Sequence, residues 1–331
     1  MKYMIINKKA NLLFFSLLLC GGLLKAQDIN YADVQSMGIW YNQSLKMDRQ
    51  REVKFDLRKV NYANLMAYSS GGILINIPLL DKYQKMEDEG GSYLSMTAGA
   101  AYDKSNAGIY KQSIGLLGLS YAKKLSADNL HVSAGFQGTF SRNSYNLSGA
   151  GFPDQFDEFG PIPNRVSDDP IQSARSFQYL SVNSGVSVFK KTAKQEWYVG
   201  TSVRHINRPF SEETKNVNYR LAPTWGMQGG MKWILEQRMI DLYGVTNWKA
   251  GASEYLGGIR YSVLLGDSKI REQSTVVGVG CAVRFQDAII PNLSLKFQQT
   301  QVALHYDIHV AGNNSSSFSR TGFELMISKQ F

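Results

Sequence analysis

Near the end of the chain the run HYDIH sets His305, Asp307 and His309 at alternate positions, so on a strand two imidazoles and a carboxylate share one face. That donor set suits a divalent metal. Alternate strand residues, however, lie roughly 6.6 Å apart, which spreads three neighbours awkwardly for a single ion. The better reading is that Leu304, Tyr306, Ile308 and Val310 meet lipid while the polar set faces a hydrated interior. The chain carries no GxSxG elbow, HExxH helix or phosphate-cradling glycine loop. A Ser/His/Asp triad is recognised by geometry rather than spacing, and nothing in the sequence favours one. Catalytic residues, metal ligands and cofactor-binding residues are therefore not expected, and no cofactor is implied.

Three other stretches are candidates for recognition. SVRHINRP, at 202–209, groups Arg204, His205, Asn207, Arg208 and Pro209. Two arginines beside a loop could pair with a partner's carboxylates. The plainer reading is a polar strand end and turn, with Pro209 stopping the ladder. The long segment 142–175 sets Phe152, Phe156 and Phe159 among Asp154, Asp157 and Glu158. Exposed rings flanked by acids would suit a basic partner; a lid folding inward is the other reading. The third stretch is QSMGIWYNQSLK, with Trp40 and Tyr41.

The elements that must position these residues begin with a targeting segment. Lys2, Lys8 and Lys9 precede an apolar run at 12–24, and Ala26 follows as a small residue at a plausible cleavage point. This reads as a signal peptide cleaved near Ala26/Gln27. The apolar run is too short for a spanning helix of about 20 residues. Cys20 raises a lipoprotein alternative, against which Leu19 stands where a small residue is normal. Cleavage would remove Lys2, Lys8, Lys9 and Lys25 and leave about +5 of the formal charge of +9. No run of Lys and Arg interleaved with aromatics supports nucleic-acid binding. Cys281 would be the sole mature cysteine, which excludes an internal disulfide framework.

Composition and period then point to a wall of strands. The chain has 30 Gly, 18 Tyr, 16 Phe and only 8 Pro. Period-two runs recur along it: Phe55 and Leu57 alternate with Lys54, Asp56 and Arg58, and Val132, Ala134 and Phe136 alternate with His131, Ser133 and Gln137. We count about fourteen such runs between 53 and 331. The last, GFELMISKQF, puts Phe323, Leu325, Ile327 and Phe331 opposite Glu324, Ser328 and Gln330. An amphipathic strand at a chain end must be tied into a sheet, and barrel closure ties it. The expected fold is all-β: a transmembrane antiparallel β-barrel of outer-membrane type. A soluble β-sandwich is the alternative, because period two does not by itself distinguish a core face from a lipid face. Connections at 123–129, 190–195, 235–238 and 298–300 should be short and periplasmic, with longer loops at 142–175 and 207–218 outside and a charged insertion at 78–91 as the periplasmic exception. The expected organisation is a signal peptide at 1–26, a periplasmic N-terminal segment at 27–52 that packs into the barrel mouth, and a barrel at 53–331.

The order of motifs carries a resemblance. Arg-His-Ile-Asn-Arg-Pro at a strand end, then RLAPTWGMQGG, a Ser-Leu-Lys strand, HYDIHV and a closing strand ending on Phe, with WYNQSLK near the start, resemble the PorP/SprF family of outer-membrane proteins of the Bacteroidetes type IX secretion system. The resemblance implies an outer-membrane barrel working in protein secretion and gliding motility. Its implied partners are the periplasmic lipoprotein ring or outer-membrane translocon, and an exported protein's C-terminal signal domain or a surface adhesin. Family-motif residues would then be Trp40, Tyr41, Arg204, His205, Asn207, Arg208, Pro209, Tyr306 and Asp307. A narrow solute channel or small-ligand transporter is the competing function, since a barrel of this strand number has room for a pore.

Overall fold

The computed structural model describes residues 31–331, apart from 48, 63–65, 80–90, 106–107, 126–128, 147–152, 158–159, 163–164, 166–174, 215–216, 266–274 and 311–319. Fourteen antiparallel strands close into one barrel. Numbered within the wall, they are β1 (Glu52–Tyr62), β2 (Met66–Leu79), β3 (Tyr93–Ser105), β4 (Tyr110–Lys124), β5 (Leu130–Tyr145), β6 (Arg175–Lys191), β7 (Gln195–Arg204), β8 (Thr224–Ile234), β9 (Arg238–Lys249), β10 (Ala252–Leu265), β11 (Thr275–Arg284), β12 (Ala288–Phe297), β13 (Thr300–His309) and β14 (Arg320–Gln330). Every strand pairs with its sequence neighbours in the wall, and β14 closes on β1 from Glu52↔Gln330 to Tyr62↔Arg320. Closure leaves no edge, and in hydrocarbon each unpaired backbone group would cost on the order of several kcal/mol. That is why GFELMISKQF is an amphipathic strand.

The alternation sets the two faces. On β1, Phe55 and Leu57 are exposed on the outside while Lys54 and Asp56 are buried inside; on β14, Phe323 and Ile327 face out while Glu324 and Ser328 face in. The outer face is thus an apolar band suited to lipid, and the inner face is polar. Cys281 lies on the outward register of β11, between Val279 and Val283.

Four local readings are corrected. The strand expected to run up to the loop at 207 ends at Arg204 as β7, because His205 adopts φ +58° and turns the chain out of the ladder. β8 begins at Thr224, beyond the loop expected to end at 218, since Pro223 has no N–H to give a ladder; residues Val217–Arg220 instead pair with Phe210–Thr214 in a separate hairpin. Pro78 and Leu79 belong to β2, opposite Ser95 and Leu94, so the insertion after β2 starts later than 78. Loop lengths also follow the expected asymmetry only in part: at the end of the barrel holding Glu52 and Gln330, β10 and β11 are separated by residues 266–274, while at the opposite end β9 and β10 are joined through 250–251 alone.

Candidate docking site in the barrel lumen

The stretch that sequence reasoning set at the barrel mouth runs deep into its interior. Residues 31–47 are buried or half-buried, and they contact inward-facing side chains around the wall. Their local structure follows from short polar caps. The Asp33 carboxylate accepts the Ser36 N–H at 3.0 Å and the Ser36 hydroxyl at 2.7 Å, closing a turn. A single helical turn follows, α1 (Gly38–Tyr41). Asn42 then caps a 3₁₀ turn, Gln43–Leu45, by accepting the Ser44 N–H at 3.0 Å.

Apolar contacts seat one side of this plug. Tyr31, Met37, Ile39, Trp40 and Tyr41 form a buried cluster with Leu74, Ala101 and Leu116 of the wall, and Tyr31 meets Trp40 edge to face at 5.7 Å between centroids. Burial pushes both the Tyr31 and Tyr41 phenols up, so they stay neutral. The Arg204 guanidinium lies 5.7 Å from the centre of the Tyr41 ring.

Glycines seat the other side. A Cβ on Gly135 would come within 2.7 Å of the Gln43 carbonyl carbon and 2.8 Å of the Ser44 nitrogen. One on Gly200 would come within 2.8 Å of Asn42 Nδ2, one on Gly118 within 2.5 Å of Gln43 Cδ, and one on Gly185 would meet Asn42 Oδ1. These wall positions on β4–β7 form a cradle into which Asn42, Gln43 and Ser44 fit because no side chains stand there. Hydrogen bonds complete the seat: Gln43 Nε2 donates to Thr97 Oγ1 at 2.9 Å, Ser187 Oγ donates to the Ser44 carbonyl at 2.9 Å, and Tyr93 OH donates to the Lys46 carbonyl at 2.8 Å.

Charge anchors the start of the plug. Glu324 accepts the Ala32 and Asp33 N–H groups at 2.7 Å each. Asp33 itself lies 3.9 Å from His305 Nε2 and 4.0 Å from Arg260 Nη2. Burial opposes its ionisation, but His305, Arg260 and the Ser36 hydrogen bonds together hold its carboxyl below the ordinary aspartate range.

The family-motif residues therefore divide. Trp40 and Tyr41 lie in the plug, and Arg204 reaches the Tyr41 ring from the wall. His205 is buried at the end of β7, its Nδ1 at 2.7 Å from Ser181 Oγ. Asn207 and Arg208 are exposed: Asn207 accepts the Val182 N–H at 3.1 Å and donates to the Leu180 carbonyl at 2.8 Å, which pairs the part of β6 that outruns β7. The Arg208 N–H donates to the His205 carbonyl at 2.9 Å, and the Pro209 carbonyl accepts from Leu221 at 3.0 Å. This segment is a strand-end turn, but the ladder stops at Arg204, where His205 turns the chain out, and not at Pro209. Tyr306 points outward and is 46% exposed, away from the lumen.

His305, Asp307 and His309 of HYDIH share the inward register as its period implied, and the three look to different partners. His305 faces Asp33; Asp307 bonds Arg58 at 2.8 Å and Arg284 at 3.2 Å; His309 lies 3.4 Å from Asp287. Among the described residues no three His, Cys, Asp or Glu side chains converge as a metal site would need. Asp287 sits in the turn after β11, where burial alone would push its carboxyl up but Arg320 and Arg284 together hold it below the usual carboxylate range. Of the outer-loop candidates, Phe152, Glu158 and Phe159 lie outside the described residues. Asp154 is half-buried, and Phe156–Asp157 pair with Gly160–Pro161 in a two-residue hairpin.

Sequence reasoning missed the anchors Asp33 and Glu324, the Asn42–Gln43–Ser44 seat and the glycine cradle. Inward glycines occur all round the wall, Gly226, Gly278 and Gly322 among them, so nothing in the sequence singled out the four that form the cradle.

A closed strand wall, an apolar outer band and a lumen filled by the chain's own N-terminal segment define a plugged outer-membrane β-barrel. The family model of the type IX secretion system membrane protein PorP/SprF matches residues 87–328, and the chain belongs to that family. A comparison with curated proteins finds no match. Among solved structures, the toluene transporter TbuX of Ralstonia pickettii is 9% identical, with 89% of this chain and 93% of that one covered and a TM-score of 0.50. A deletion mutant of the monoaromatic hydrocarbon channel TodX is 7% identical, with 89% and 94% covered and a TM-score of 0.51. At such identity the likeness speaks for the fold alone.

Proposed function

We propose that this barrel is a non-enzymatic docking component of type IX protein secretion, held shut by its own N-terminal segment rather than conducting solutes. The observation that carries the reading is the plug: residues 31–47 are fixed by Glu324, by the glycine cradle and by an aromatic cluster, so the lumen is spent on structure. In this reading the end holding Glu52 and Gln330 faces the periplasm and meets the lipoprotein ring or translocon. The opposite end, with the segment 146–174, meets an exported C-terminal signal domain or a surface adhesin.

Planar-bilayer recording tests it. The full-length protein should be electrically silent and should copurify with secretion components from detergent-solubilised membranes. A variant lacking residues 31–47, still heat-modifiable on a gel, should show a steady open pore. A steady pore in the full-length protein would favour a solute channel instead.

A further inference from the structure

The charges of the wall are sorted by face. Among the described residues every carboxylate on the fourteen strands, from Glu52 to Glu324, lies on the inward register, and every charged side chain on the outward register is a cation. Toward the end that holds Glu52 and Gln330 these cations are scattered: Lys123, Lys190, Arg238 and Lys329 stand on four strands of which no two are adjacent. At the opposite end they are gathered. Lys59, Lys104 and Lys111 fall in one row across β1–β4, with Lys59 opposite Ser69, Ser69 opposite Lys104, and Lys104 opposite Lys111. Arg142 stands on β5 one step below Ser144, the residue opposite Lys111. All four are exposed and have no ion-pair partner among the described residues; Arg142 Nε donates to Ser176 Oγ at 3.4 Å.

Lys104 and Lys111 face each other directly, with Cβ atoms about 5 Å apart, and like charges so placed repel across a ladder. The next rungs of the same face hold Leu57 with Tyr102, then Phe55, Ile73, Ala100 and Phe140. The cations therefore stand at the edge of the apolar band, where long basic side chains carry their charge to headgroup level.

We propose that this row binds a lipid headgroup carrying two phosphates, in the leaflet at that end of the barrel. Adjacent strands lie about 4.8 Å apart, which puts Lys59 about 10 Å from Lys104 and about 14 Å from Lys111. Lys104, Lys111 and Arg142 share one phosphate, whose charge removes their repulsion, and Lys59 takes the second. Ser69, between the two positions, offers its hydroxyl to the headgroup. A lipid is favoured over a soluble anion because its acyl chains lie against Phe55, Ile73 and Phe140 immediately below. In the docking reading this leaflet is the outer one, and the proposal takes nothing else from that reading.

Thermal melting of the full-length protein, followed by its heat shift on a gel, tests it in phosphatidylcholine nanodiscs with and without diphosphoryl lipid A. Without the phosphorylated lipid, Lys111→Gln should melt at or above the wild type, because a repulsion is gone. With it, the wild type should be stabilised and the order reversed. Native mass spectrometry should show diphosphoryl lipid A retained about tenfold less by Lys104→Gln/Lys111→Gln than by the wild type. Lys123→Gln/Lys329→Gln, exposed toward the other end, should retain it normally. The same melting order in both bilayers, an equal loss in the control pair, or equal stabilisation by inorganic pyrophosphate would each overturn the proposal. If the double variant loses the heat shift, Lys104→Gln alone replaces it, with a smaller loss of lipid expected and an undiminished retention overturning the proposal. None of these substitutions touches the plug, so failure here and failure of the conductance test are separable.

Discussion

Glu324, in the first half of the last strand, holds Asp33 near the start of the plug: one carboxylate oxygen accepts the Asp33 N–H at 2.7 Å and the other accepts the Ala32 N–H at the same distance. A single side chain thus satisfies two buried backbone donors and ties the closing strand of the wall to the segment inside it. Arg58, 3.5 Å from the same carboxylate and 2.8 Å from Asp307, balances the charge.

Replacing Glu324 by Gln keeps the shape but offers one acceptor where two are used, and turns an amide donor toward a backbone donor. Hydrogen bonds to a charged group contribute about 1.5–3 kcal/mol each. The plug should therefore be held more weakly by about 2–3 kcal/mol while the wall stays intact. Hydrogen exchange over residues 31–47 should rise at unchanged heat-modifiability; unchanged protection would mean that the anchor lies elsewhere.

Gly135→Ala should displace the plug, because its methyl would press on the backbone of Gln43 and Ser44, and backbone has no rotamer to yield. Overpacking of this kind costs about 1–3 kcal/mol. Gly138→Ala on the same strand is the matched control, since nothing lies within 4 Å of its added carbon. Proteolysis of the plug should increase in the first variant and not in the second.

Acid should loosen the plug through Asp33. Its carboxyl is held below the ordinary value of 3.8 in the folded protein, so the stabilisation is fully present above that value and is lost as pH falls through the lower, folded one. Plug protection should be flat through neutral pH and drop only in strong acid. Asp33→Asn should remove that contribution and flatten the acid limb, with weaker protection above the folded value and no difference from the wild type below it. A loss of protection centred near neutrality would assign the switch to another group.

The wall was legible in the sequence. Which face a strand residue takes depends only on its place in a local period of two, so Phe55, Val132 and Phe323 could be assigned outward, and His305, Asp307 and Glu324 inward, before any partner was known. The fourteen strands follow from that pattern. Where it misled, at 205–206 and 220–223, a positive φ or a proline ended the ladder although the apolar alternation continued.

What an inward side chain meets was decided by the tertiary structure. Glu324, Thr97, Ser187 and Gly135 are each ordinary luminal positions of their own strands, and nothing local distinguishes them from Ser133 or Asn292. Only ring closure, which fixes the register of β14 on β1, brings them around one axis, and only then does the run WYNQS, which has neither strand nor helix period, find the donors, acceptors and vacant Cβ positions that make it a plug. Periodicity is a property of neighbours in the chain; the plug depends on groups as far apart in sequence as Ala32 and Glu324, whose meeting no local pattern encodes.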